Sequence, residues 1–84
     1  MDISEAVVGT RIRALREFVS VPLGTNGIID EDYGTGIMIA WDLPDSPLPP
    51  GYFRYDGKPA IATGIVLDGF DKASELRFLE VVLP

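Results

Sequence analysis

The stretch from Gly24 to Asp42, GTNGIIDEDYGTGIMIAWD, constrains the fold more than any other part of the chain. It reads as two β-strands joined by a tight turn between glycines. In the second strand Ile37, Ile39 and Trp41 fall on one face, and Met38, Ala40 and Asp42 on the other. Side chains alternate faces along a strand, so this is the two-residue period of a half-buried strand, with Ile37, Ile39 and Trp41 as its core face. The partner spans Gly27 to Glu31, with Ile29 on the core face and Ile28 and Asp30 turned away. Between them lies Asp32-Tyr33-Gly34-Thr35-Gly36, whose two glycines suit the positive φ values of a short hairpin loop. Gly24, Asn26 and Gly27 mark a further turn or bulge at the entry.

The remaining chain reads as strands and loops closing around that hairpin, in a single domain over residues 1–84. Residues 1–6 read as a frayed or loosely docked terminus. A first strand follows from Val8 to Leu15, with Val8, Ile12 and Ala14 on one face and Arg11 and Arg13 on the other. A helix competes there, because Ile12, Leu15, Phe18 and Val19 also sit at helical spacings, but Gly9 and Pro22 oppose it. Residues 16–23 form an irregular loop in which Phe18, Val21 and Leu23 fold back over one end of the core.

Residues 43–59 hold Pro44, Pro47, Pro49, Pro50 and Pro59 and form a long proline-rich loop, since proline cannot donate to a sheet ladder. A fourth strand is expected from Ala60 to Leu67, bent at Gly64, followed by a turn at Asp68-Gly69. Asp71 to Leu76 reads as one helical or 3₁₀ turn with Asp71 as its N-cap. Arg77 to Leu83 reads as the last strand, with Leu79, Val81 and Leu83 inward, and a helix over 72–82 is the alternative. The fold class is therefore all-β with five strands, the alternative being α+β with that C-terminal helix.

The run from Arg11 to Asp42 contains R-I-R-A-L-R-E-F-x-x-V-P-L-G-T-N-G-I-I-x-x-x-Y-G. It resembles small SH3-like β-barrels, of the kind found in the nitrile hydratase β-subunit and in small uncharacterised bacterial proteins. The resemblance covers 32 of the 84 residues and rests on glycines and apolar positions. It implies a five-stranded SH3-like barrel with a short helical turn before the last strand. It implies no activity, because the metal chemistry of nitrile hydratase resides in its other subunit.

The chemistry-bearing residues narrow the function. The chain has no histidine and no cysteine, which removes the common general base, the Ser-His-Asp arrangement and zinc sites of the usual ligand sets. Gly34-x-Gly36 lacks the third glycine of a dinucleotide fingerprint. Asp30-Glu31-Asp32 lacks the glycine and final glutamate of a calcium loop, and reads as a solvated acidic edge with a weak cation as the rival. Asp42 and Asp45 could form a carboxylate pair, but nothing positions a substrate beside them. No enzyme activity, cofactor or metal is expected.

The net charge of −6 is concentrated. Residues 24–57 hold six acids and one base, Arg54, so phosphate backbones are repelled there. The same region holds Tyr33, Trp41, Tyr52, Phe53 and Tyr55 beside Pro49, Pro50 and Asp42. Aromatic side chains with an acidic rim suit the docking of a basic protein partner. The competing reading has Trp41 and Phe53 in the core with the tyrosines covering it. SH3-like domains that bind peptides build their groove from Tyr, Trp and Pro, but the ALYDY-type motif of signalling SH3 domains is absent here.

Pro47 to Pro50 formally spells PxxP without a flanking arginine. Arg11, Arg13 and Arg16 form a basic stripe, expected to pair across strands with the acidic hairpin. The functional expectation is a protein-interaction or accessory module that docks a basic partner or itself as a homo-oligomer. The alternative is a small-barrel nucleic-acid-binding protein. With neither a secretory signal nor a membrane-length apolar run, a cytoplasmic location is expected.

Overall fold

The structure, a computed structural model, describes residues 1–49 and 64–83. The fold is all-β. Five antiparallel strands form one curled sheet: β1 (Arg11–Ala14), β2 (Asn26–Asp32), β3 (Gly36–Trp41), β4 (Leu67–Asp71) and β5 (Leu79–Val81). Their order is β4-β3-β2-β1-β5, so the first four strands follow one another and the last crosses to pair with β1. Two 3₁₀ turns, Ile3–Glu5 and Leu76–Phe78, are the helical pieces among the described residues.

β3 behaves as its sequence pattern dictates. Ile37, Ile39 and Trp41 are fully buried and meet Ile12 and Ala14 of β1, Ile29 of β2, Phe70 of β4 and Leu79 of β5 in one core. Trp41 fits because its neighbour in register is Gly27. A Cβ at Gly27 would lie 2.9 Å from Trp41 Cε3 and 2.9 Å from the Ala40 carbonyl oxygen. The indole N–H donates to Asp68 Oδ2 at 2.8 Å, so the one polar atom of the ring is satisfied inside. Phe18 closes this end of the core. Its ring stands edge-on to Phe70 at 5.3 Å and tilted to Trp41 at 6.1 Å.

The other face of β3 is also partly covered. Ala40 and Ile28 are buried beneath Leu48 and Ile65 in a second, smaller cluster. Ile28 does turn away from the main core, but it is not left to solvent. Between Ile29 and Glu31 the register slips, and the bulge removes Asp30 from the ladder. Asp30 is only 6% exposed.

Several boundaries differ from the sequence reading. The terminus is docked: the Met1 amino group donates to the Leu76 and Leu79 carbonyls at 3.1 and 3.0 Å, and Ala6 is buried. β1 is shorter than Val8 to Leu15, and no helix forms there. In the loop after it, Phe18 and Val21 fold over the core as expected, whereas Leu23 is exposed. Asp68-Gly69 does not turn the chain. It lies inside β4, which starts where the expected fourth strand was to end. Asp71 closes a turn instead of capping the helix: its Oδ2 accepts from Ser74 Oγ at 2.8 Å, and Glu75 holds the N-cap position. The segment 72–82 is a turn, a 3₁₀ turn and strand β5, not a helix, and Leu83 is exposed. Of the expected 43–59 loop and the 60–67 strand, residues 50–63 lie outside the described residues.

Candidate functional site

The β2–β3 turn carries Tyr33 out of the core. Gly34 adopts φ +93°, which an L side chain rarely tolerates, and its N–H donates to Asp32 Oδ1 at 2.9 Å. Gly36 serves a different purpose from the one its position suggests, because its φ is not positive. A Cβ there would lie 2.6 Å from Tyr33 Oη and 2.7 Å from the Phe70 carbonyl oxygen. A Cβ at Gly69 would lie 3.1 Å from the same hydroxyl. Tyr33 therefore lies across a shelf of two strands stripped of side chains, and remains 52% exposed.

The register defines what surrounds that shelf. Direct partners in a ladder share a face. Met38 pairs with Glu31 on one side and Gly69 on the other, and Gly36 pairs with Asp71. The outer face of the sheet thus presents Tyr33 and half-buried Met38 between the exposed acids Glu31 and Asp71. Further along, Leu67 pairs with Ala40 and is also exposed.

The turn is braced from β4. Lys72 Nζ lies 2.8 Å from Asp32 Oδ1, and the Lys72 N–H donates to the Thr35 carbonyl at 3.0 Å. The ammonium, and secondarily the Gly34 N–H, hold the Asp32 carboxyl below its ordinary pKa. This removes the sequence basis for a cation between Asp30 and Asp32: the bulge breaks their alternation, and Asp32 already has a cationic partner.

The sequence-derived site residues divide into four groups. Tyr33 is exposed. Asp42 lies at the other end of the same face, roughly 20 Å along the strand from Gly36 at ~3.3 Å per residue, and Pro49 is half-buried in the segment that follows. Asp42 is exposed, and its Oδ1 accepts from the Leu48 N–H at 3.0 Å, so it also anchors the following segment. Trp41 is corrected: with 0% exposure it can touch no partner, and its place on the core face is the physical reason. Pro50, Tyr52, Phe53 and Tyr55 lie outside the described residues.

The basic stripe is also rearranged. Arg13 pairs with Glu80 of β5 at 3.1 Å, not with the hairpin. Arg16 stacks on aromatic rings, its guanidinium carbon 4.5 Å from the Phe78 centroid and 5.4 Å from that of Phe18. Arg77 lies 5.0 Å from the same Phe78 ring. Sequence reasoning missed this cluster, because its partners are some 60 positions apart and meet only through the β1–β5 pairing.

No helix of the described residues is long and apolar enough to cross a membrane. Compared with known protein families, curated proteins and solved structures, the chain matches none.

Proposed function

We propose that this chain is a non-enzymatic interaction or accessory module, an SH3-like small barrel that docks a basic partner or another copy of itself. The strand order and the 3₁₀ turn before β5 support the barrel reading. The single observation that carries the functional reading is Tyr33, half exposed on a shelf of glycines between Glu31 and Asp71. A tyrosine held this way loses little entropy on binding and offers both a ring face and a hydroxyl. Glu31 and Asp71 add attraction for Lys or Arg side chains, which also pack over aromatic faces. Asp42 extends the surface along the same sheet face. The nucleic-acid alternative draws on the arginines, but Arg13 is paired and Arg16 is stacked on Phe18 and Phe78.

Titration with Lys/Arg-rich and Asp/Glu-rich peptides, and with a single-stranded RNA, tests the reading for the wild type and Tyr33→Ser. Binding of the basic peptide alone, weakened at least tenfold by the substitution, is the expected result. Preference for the acidic peptide, or basic-peptide binding indifferent to Tyr33, would overturn it. Tight, salt-sensitive RNA binding would support the nucleic-acid alternative.

A further inference from the structure

Asn26 is the only side-chain amide in the sequence, which has no second asparagine and no glutamine. It stands directly before Gly27. In an Asn-Gly pair the glycine nitrogen can attack the asparagine side chain with no β-carbon in its way. The fold requires that glycine. A Cβ at residue 27 would lie 2.9 Å from Trp41 Cε3 and 2.9 Å from the Ala40 carbonyl oxygen. The packing that admits Trp41 to the core therefore sets the least hindered kind of backbone nitrogen beside the chain's only side-chain amide.

Strand pairing holds the reaction off. Asn26 is exposed, but Gly27 is buried, paired with Ile12 of β1 and Trp41 of β3. The Ala14 N–H donates to the Thr25 carbonyl at 2.9 Å, and the Ile29 N–H to the Thr10 carbonyl at 3.0 Å. Bonded and non-bonded pairs alternate along an antiparallel ladder, so Ile12 and Gly27, midway between these two, are also a bonded pair. The Gly27 N–H thus donates to the Ile12 carbonyl. On the β3 side the Asn26 carbonyl accepts from the Asp42 N–H at 2.8 Å. Ring closure needs the Gly27 nitrogen to lose its proton and Asn26 to leave its extended backbone. Neither occurs while β2 stays between β1 and β3.

We propose that Asn26-Gly27 is a latent self-modifying site, shut by strand pairing and exposed when β2 separates from its neighbours, with an isoaspartate product that the strand cannot take back. The Gly27 nitrogen bonds to Asn26 Cγ, the Cγ–Nδ2 bond breaks, and ammonia leaves. Water then opens the succinimide, at Cγ to give aspartate or at the main-chain carbonyl carbon to give isoaspartate. One water is consumed and one ammonia released, with no change of oxidation state. Isoaspartate inserts a methylene into the main chain before Gly27. It also turns the carbonyl that held the Asp42 N–H into a free carboxylate. The alternation that sets Gly27 against Trp41 is then lost. The mark accumulates with the time the chain spends open.

The test incubates the wild type at mildly alkaline pH, folded in buffer and unfolded in urea. Any amide-to-acid gain in intact mass reports on Asn26 alone. Asn26→Asp supplies the chromatographic standard for the aspartate product. Asn26→Ser has no amide and controls for losses elsewhere, including isomerisation at Asp68-Gly69. Conversion in urea is expected to be roughly tenfold faster than in buffer, or more. After removal of urea, aspartate chains and Asn26→Ser are expected to regain the near-ultraviolet circular dichroism of Trp41, and isoaspartate chains to stay without it. Equal rates in the two conditions, no conversion in urea, or isoaspartate chains that recover the native Trp41 signal would each overturn the proposal.

Discussion

Trp41 and Tyr33 make the same local contact and end in opposite places. Each lies over glycine on a neighbouring strand, Trp41 over Gly27 and Tyr33 over Gly36 and Gly69. Trp41 is sealed in the core with its N–H bonded to Asp68, whereas Tyr33 is half exposed on the outer face. The difference is set by which face of the sheet each ring covers. On the inner face β1, β5 and Phe18 close over the indole. On the outer face, beside the turn, no further described layer covers the tyrosine. An aromatic beside a glycine thus signals close approach of backbone and ring, but strand parity decides whether the ring becomes core or surface.

Substitutions can break this contrast. Trp41→Ala removes the largest buried side chain and leaves Asp68 without its donor, and is expected to cost about 3–5 kcal/mol, read by urea denaturation. Gly27→Ala places a methyl against the Ala40 carbonyl and the indole, backbone and core that cannot yield, at a cost of about 1–3 kcal/mol. Gly69→Ala sharpens the contrast. Among the described residues its methyl meets the Tyr33 hydroxyl, on a half-exposed ring, so a cost within about 1 kcal/mol is expected together with a shift of the Tyr33 fluorescence and NMR signals. A cost equal to that of Gly27→Ala would mean that Tyr33 is fixed as firmly as Trp41.

A smaller effect is expected from the brace beneath the turn. The lowered Asp32 pKa stabilises the fold at pH above the ordinary carboxylate value, and this contribution disappears as pH falls through the folded-state value. Lys72→Met should therefore flatten that part of the acid-denaturation profile and move the Asp32 titration upward, as followed by carboxyl NMR.

The legible and illegible parts of the sequence separate along physical lines. The alternation of Ile37, Ile39 and Trp41 placed β3 and its core face, because a two-residue period is a local property of one strand. The loop folding Phe18 and Val21 over the core was legible from apolar spacing, whereas the short helical turn before the last strand was expected over 71–76 with Asp71 as its N-cap and forms instead at Leu76–Phe78. β4 was misplaced because Asp68-Gly69 has turn chemistry. In the fold Asp68 is the acceptor for Trp41 and Gly69 makes room for Tyr33, and both demands come from other strands. The bulge at Asp30 was hidden for the same reason, since register belongs to a pair of strands. Tyr33, singled out in the sequence, is exposed. Trp41 was placed on the core face and also put forward as a site, and only one of those can hold for a buried ring. The Arg16–Phe78–Arg77 cluster left no local signal, because its members are brought together by the crossing of β5 to β1.

The most direct measurement is a titration of the wild type and of Tyr33→Ser with a Lys/Arg-rich peptide, followed by amide chemical shifts. The expected result is salt-suppressed shifts centred on Glu31 to Gly34 and Asp71 that the substitution abolishes. Shifts indifferent to the substitution, or spectra that the peptide leaves unchanged, would contradict the Tyr33 surface as a docking site.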